Sequence, residues 1–211
     1  MKSDVNRDAT HEKMHGTTHG TTRDMIGAHF TENLRVVEAS AAALAVAAGA
    51  AGDALVSAVL GGKKILCFGN GGSATQASHM AGELIGRFKE TRRPYAAIAL
   101  GGDPGSVTCI ANDFGYGALF ERQIEGLAAA DDVALGITTS GSSENVIRGL
   151  AMAHRKGAVT IALTGQKGLV GGTADHVIAV PSDVTAHIQE VHLMLLHAWC
   201  VEIDARVLEH S

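Results

Sequence analysis

Five short apolar runs that do not alternate with polar residues constrain this chain more than any other feature. KILCF (64–68), YAAIAL (95–100), DVALGIT (132–138), AVTIAL (158–163) and HVIAV (176–180) each read as a strand that ends at glycine, proline or a Ser/Thr-rich turn. A strand that is apolar on both faces belongs in a sheet covered on both faces. Helical stretches near 74–88, 115–128, 143–156 and 186–208 separate the runs, which implies right-handed βαβ units and a parallel sheet. The predicted fold is a doubly wound α/β sheet of five parallel strands flanked by helices, with an N-terminal helical addition. A chain of 211 residues, 46% hydrophobic, is enough for one such domain over 24–211. Aromatics are only 4%, so Ala, Val, Leu and Ile fill the core.

Residues 1–23, which include MHGTTHGTT, are polar and aperiodic and read as a solvated tail whose His11, His15 and His19 can catch a metal adventitiously. From Met25 the pattern turns helical, with Ile26, Phe30, Leu34 and Val37 on one stripe. The Ala-rich stretch 39–60 continues as helix until Gly61-Gly62. Residues 41–60 are apolar but mostly alanine, too weakly hydrophobic for a membrane span, and no signal peptide is visible. The formal charge of −5 comes without a basic cluster, which argues against a nucleic-acid footprint. Cys67, Cys109 and Cys200 are scattered, odd in number and in apolar contexts. Buried free thiols in a reducing cytoplasm are the expectation.

Ligands of such sheets bind beyond the carboxyl ends of the strands. TTSGSSENV (138–146) leaves a strand for a helix with five hydroxyls in six residues, at Thr138, Thr139, Ser140, Ser142 and Ser143. One hydroxyl suffices for a helix cap. Five of them beside the positive end of a helix suit a phosphate monoester without a lysine. GNGGS (69–73) makes a similar junction but has neither P-loop nor GxGxxG spacing, so it reads equally as a close-approach ligand loop or a tight turn with Ser73 as cap. His79 and Glu83, four apart on the next helix, share one face and can either bind one metal or form a surface contact. HIQEVHLMLLH (187–197) puts three histidines, Gln189 and Glu190 in an otherwise apolar helix, where so many polar groups need partners.

GNGGSATQASHMAGELIGRF, ANDFGYGALFERQ, TTSGSSENVI and HIQEVHLMLLH, in that order, resemble the bacterial sedoheptulose 7-phosphate isomerases (phosphoheptose isomerases) of the sugar isomerase, or SIS, superfamily. The resemblance spans about 25–208. It implies a cytoplasmic, zinc-dependent homotetramer with active sites at subunit interfaces. Such an enzyme converts sedoheptulose 7-phosphate to D-glycero-D-manno-heptose 7-phosphate, with no nucleic-acid or membrane partner. Carried over motif by motif, the Zn2+ ligands would be His79, Glu83, Gln189 and His197, and Glu83 and His197 the base and acid. Asn70, Gly71, Gly72, Asn112 and Asp113 would contact the sugar, with Glu83 and Gln189 also reaching substrate. Thr138, Thr139, Ser140 and Ser143 would hold the phosphate.

Ketose–aldose isomerisation moves a proton from C1 to C2 through an enediol, which needs a carboxylate base and a group that handles protons on oxygen near neutral pH. Gln189 and His197 lie eight residues apart, about 12 Å along a straight helix. An irregular helix start, or ligands from different chains, would reconcile them. Three positions depart from the family pattern: Thr138 stands for serine, GGDPG (101–105) is one residue longer, and Ala186 replaces a polar residue. Some relatives are instead non-catalytic tetramers that regulate DnaA at replication initiation, but those lack the carboxylate and the last histidine. SIS modules in transcription regulators carry an appended DNA-binding domain, which is absent from this sequence.

Overall fold

The computed structural model describes residues 21–208. A five-stranded, entirely parallel sheet runs in the order β2-β1-β3-β4-β5. The strands are β1 (Ile65–Gly69), β2 (Ala97–Ala99), β3 (Val133–Thr138), β4 (Val159–Thr164) and β5 (His176–Ala179), matching the five apolar runs, with β2 trimmed at both ends. Around them lie α1 (Thr22–Leu60), α2 (Gly72–Ile85), α3 (Pro104–Phe114), a 3-10 turn (Tyr116–Ala118), α4 (Leu119–Leu127), α5 (Glu144–Arg155) and α6 (Thr185–Leu208). Chain order reverses between β1 and β3, so the loops after these two strands flank the switch-point crevice.

Alternate strand residues feed two cores. Ile65, Cys67, Val133, Leu135, Ile137, Ile161 and Leu163 face α1, α2 and α6. Leu66, Phe68, Ala134 and Ala162 face α3, α4 and α5. On the second face β3 carries Gly136, where an added Cβ would lie 3.1 Å from both Val146 and Leu150, and α5 answers with Gly149 against Phe68 and Phe120. Small residues on both partners bring α5 close to the sheet.

The N-terminal addition is one continuous 39-residue helix. Thr21 and Asp24 close a capping box at its start. Residues 22 and 23, read from sequence as tail, therefore open α1, while residues 1–20 lie outside the described region. α1 is long and apolar enough to cross a membrane by length and composition alone. In the fold one face of its second half packs into the core instead, through Ala51, Leu55, Val56 and Val59.

One element is added and one expectation is corrected. Residues 104–114, for which the sequence reading assigns no element, form α3. Asp103 caps it by accepting from the Gly105 and Ser106 N–H groups, and Pro104 starts it where a missing N–H costs nothing. Cys67 and Cys200 are buried free thiols, but Cys109 on α3 is exposed. Burial pushes both buried thiols up to about 12.

His192 of α6 is fully buried, with Nε2 3.1 Å from the Thr164 carbonyl. A carbonyl only accepts, so Nε2 carries the proton. Nδ1 has no partner. Burial lowers this imidazole from 6.5 to about 4 despite the bond to Thr164. The unfolded chain then takes up a proton that the folded chain refuses between those values. Its contribution is whole above pH 6.5 and is lost as pH falls towards 4, about 3 kcal/mol in all. The hydrogen-bonded carboxylates Asp132, Asp175 and Asp204, held below their usual range, act in a more acidic window. Denaturant midpoints measured from pH 8 to pH 4.5 are expected to fall in wild type and to fall less in His192→Gln. Parallel profiles would contradict this assignment.

Candidate active site

The crevice is built from the loops after β1 and β3. After β1, Gly69 sits so close to Ile137 and Ser73 that an added Cβ would be 2.7 Å from a backbone oxygen. Gly71 turns the chain at φ 55° and caps α2 with no side-chain bond. Ser73 is therefore not the cap; it is buried within the first turn. Asn70 is locked in place. Its amide exchanges two hydrogen bonds of 2.9 Å with Asn145 at the start of α5, and Tyr116 Oη donates to its Oδ1 at 2.7 Å. Asn70 and Gly71 line a cleft with Ala74, Ser78, Gly102 and Tyr116.

After β3, the hydroxyls turn toward one another. Thr138 Oγ1 lies 3.0 Å from Ser143 Oγ and 3.4 Å from Ser140 Oγ, and Ser140 accepts from the Ser142 N–H. Ser143 occupies the N-cap of α5 yet makes no side-chain cap bond. Its hydroxyl is thus not spent on the helix, which removes the ordinary explanation for a serine there. Thr139, Ser140 and Ser142 line a polar cleft with Gln166, Lys167 and Asp183. Gly141, at φ 69°, leans on the loop after β4, where Val170 N–H donates to its carbonyl.

Further along α2, His79 and Glu83 meet His197 of α6. His79 Nε2 is 3.0 Å from His197 Nε2 and 3.3 Å from Glu83 Oε1. Three donor atoms at these spacings approximate edges of a small coordination polyhedron, since Zn–N and Zn–O bonds of about 2.0–2.2 Å set tetrahedral edges near 3.3 Å. The His197 ring also stacks on Phe88, with centroids 5.6 Å apart. Arg92, in a buried 2.7 Å pair with Asp204, donates to the Glu83 and Leu84 carbonyls and fixes this end of α2. Burial would raise Asp204, but its bonds from Arg92, Lys89 and Glu90 hold it below the usual carboxylate range.

Residues 29–165 match the SIS domain family. A phosphoheptose isomerase from Aquifex aeolicus is 51% identical over 158 residues, 74% of this chain and 83% of that protein. One from a Bradyrhizobium species is 41% identical over 190 residues, 89% of this chain and 96% of its own length. The structure of a phosphoheptose isomerase from Francisella tularensis superposes with a TM-score of 0.82 at 37% identity, over 88% of this chain and all of that one. The chain belongs to the phosphoheptose isomerase family. It is accordingly an isomerase built on the SIS fold.

Within one chain of this isomerase the fold gathers His79, Glu83 and His197, and separately Asn70, Gly71 and the hydroxyls of 138–143. It does not gather every residue carried over by resemblance. The Gln189 amide lies over Gly72, where an added Cβ would be 2.6 Å from its Nε2, two turns before His79 on α2. Asn112 and Asp113 are exposed at the end of α3 and bond to each other. Tyr116, Asn145 and Lys167 were not anticipated. Nothing in their spacing marks them, although Tyr116 lies inside the quoted ANDFGYGALFERQ motif and Asn145 inside TTSGSSENV.

Gly141 yields a prediction. An alanine Cβ there would be 1.8 Å from the Gly168 carbonyl oxygen, at a φ that disfavours any side chain. Gly141→Ala is expected to lose at least about 2 kcal/mol in denaturant unfolding and to raise KM about tenfold as the hydroxyl loop shifts. Gly126→Ala, with open space around it, is the control and should be neutral or slightly stabilising.

Proposed function

We propose that this isomerase converts sedoheptulose 7-phosphate to D-glycero-D-manno-heptose 7-phosphate in the cytoplasm, through an enediol. The observation that carries the reading is the convergence of a carboxylate and two imidazoles from α2 and α6 at hydrogen-bond spacing. Glu83 takes the C1 proton of the ketose and returns it to C2. His197 supplies a proton to the C2 oxygen and receives the one leaving the C1 hydroxyl, so no net proton is consumed. One oxygen of Glu83 faces His79, which leaves the other for carbon. The His/Glu/His set fits zinc, with His79, Glu83 and His197 as holders. A bound zinc would polarise the sugar carbonyl and stabilise negative charge on oxygen.

Thr138, Thr139, Ser140 and Ser143 receive the phosphate, helped by the α5 N-terminus and by Lys167 in the same cleft. Asn70, Gly71 and Gly72 meet the sugar. The hydroxyl loop adjoins the start of α2, whereas Glu83 lies eleven residues on, about 16 Å along the axis. A homotetramer with sites at subunit interfaces resolves this distance. One chain's loop then faces another's Glu83, and a second copy supplies Gln189, Asn112 and Asp113. The differences from the regulator of DnaA, namely Glu83 and His197, favour catalysis. Incubation with sedoheptulose 7-phosphate, followed by product NMR with and without a chelator, tests the reading. The aldoheptose phosphate is the expected product, and an unchanged ketose with metal-replete, folded protein would overturn it.

A further inference from the structure

A second cluster stands apart from the site above. His29 projects from the first third of α1, and His187 and Glu190 lie three apart on the first turns of α6. His29 Nε2 is 2.7 Å from Glu190 Oε1, and His187 Nδ1 is 3.1 Å from Glu190 Oε2. The two imidazoles are side by side, with centroids 4.7 Å apart and planes at 35°. One ligand atom from each residue lies within 4.8 Å of the others. Glu190 and His197 are seven residues apart, roughly 10 Å along α6, so the two clusters do not share an ion.

We propose that His29, His187 and Glu190 form a second metal site, for a divalent ion of the zinc, cobalt or nickel class. Two imidazoles and one carboxylate are the donor set that such ions prefer over magnesium or calcium. Three protein ligands with one position open make a familiar zinc arrangement. The burial is graded in a way that suits entry. His187 is nearly covered, with 6% of its side chain exposed, while His29 and Glu190 remain 44% and 38% exposed. An ion therefore has a path in, and a firm ligand at its base.

The site has a mechanical consequence. Every residue from Thr21 to Glu32 is exposed, and α1 buries its first side chain only at Val36. Ligation at His29 would strengthen the tie, at His29–Glu190, that links this exposed end of α1 to α6, 161 residues away. Metal binding here stiffens the start of α1 without touching the reacting atoms.

The test counts ions. Full-length protein is stripped with chelator and dialysed against Zn2+, and bound zinc per chain is measured for wild type, His29→Ala, and a His79→Ala/His197→Asn background with and without His29→Ala. The background is expected to keep one zinc per chain, and adding His29→Ala should weaken that ion by more than about 100-fold, beyond the loss of an outer-shell partner. Hydrogen exchange of 22–32 should slow on zinc addition only when His29 is present. A folded background that takes up no zinc means a hydrogen-bonded trio only and overturns the proposal. So does uptake that survives His29→Ala, which is how adventitious binding by the histidines of residues 11–19 would show itself.

If the background does not fold, wild type against His29→Ala decides, because His29 is on the exposed face of α1. A fall from two ions to one supports the site, and equal uptake overturns it. One ion lost with His29→Ala but kept in His79→Ala would support this site while removing zinc from the catalytic cluster, so the two readings fail separately.

Discussion

Glu83→Gln is expected to abolish most isomerisation, lowering kcat on sedoheptulose 7-phosphate by about three orders of magnitude, while leaving a folded protein. A positioned base contributes roughly 10²–10⁴-fold to proton transfer, and an amide cannot accept a proton from carbon. The substitution keeps the side-chain volume. The carboxylate is about one-quarter exposed and meets His79 at 3.3 Å. An amide in its place leaves no stranded buried charge, so the unfolding free energy should change by no more than about 1 kcal/mol. Arg92 still anchors this end of α2 through the Glu83 backbone carbonyl, which the substitution does not touch. Turnover, circular dichroism and thermal midpoint measured on the same preparation separate chemistry from folding. Wild-type turnover in a folded Glu83→Gln protein would remove Glu83 from the role of base.

What the sequence made legible follows from which physical rules are local. The strands announced themselves because both sheet faces are covered, so each run is apolar throughout. The hydroxyl loop was legible because five alcohols exceed what capping uses, and the unspent cap at Ser143 agrees with that argument. His79 and Glu83 were legible from four-residue helical spacing. α3 was missed although its start obeys a local rule. Asp103-Pro104 describes an N-cap followed by proline at the first helical position, yet Asp, Pro and the flanking glycines are equally the residues of a turn. The exposure of Cys109 follows from that same error, since its apolar neighbours belong to a helix with a single buried residue, Ile110. Contacts that depend on the tertiary path had no signal. His29 reaches Glu190 across 161 positions, and Tyr116 and Asn145 reach Asn70 across 46 and 75. Gln189 and His197 are eight residues apart on α6, about 12 Å along its axis, so one ion holding both calls for two chains, which no motif spacing can reveal.

His197→Asn should cost both metal and turnover, and the comparison with His79→Asn tells the two costs apart. The His197 ring lies between Phe88, on which it stacks, and His79, whose Nε2 it faces at 3.0 Å. Asparagine is too short to reach the same point and cannot carry a proton near neutral pH. Zinc affinity at this cluster is expected to drop at least about 100-fold, and kcat by two to three orders of magnitude, the range of one acid–base group. His79→Asn removes a metal holder but no assigned proton carrier. Its loss of turnover should therefore be recovered at saturating Zn2+, while that of His197→Asn should persist with the cluster refilled. Recovery of both variants by zinc would reduce His197 to a ligand and leave the oxygen-bound proton to another group. Recovery of neither, at full occupancy, would place His79 in the proton path as well, as its 3.0 Å contact with His197 permits.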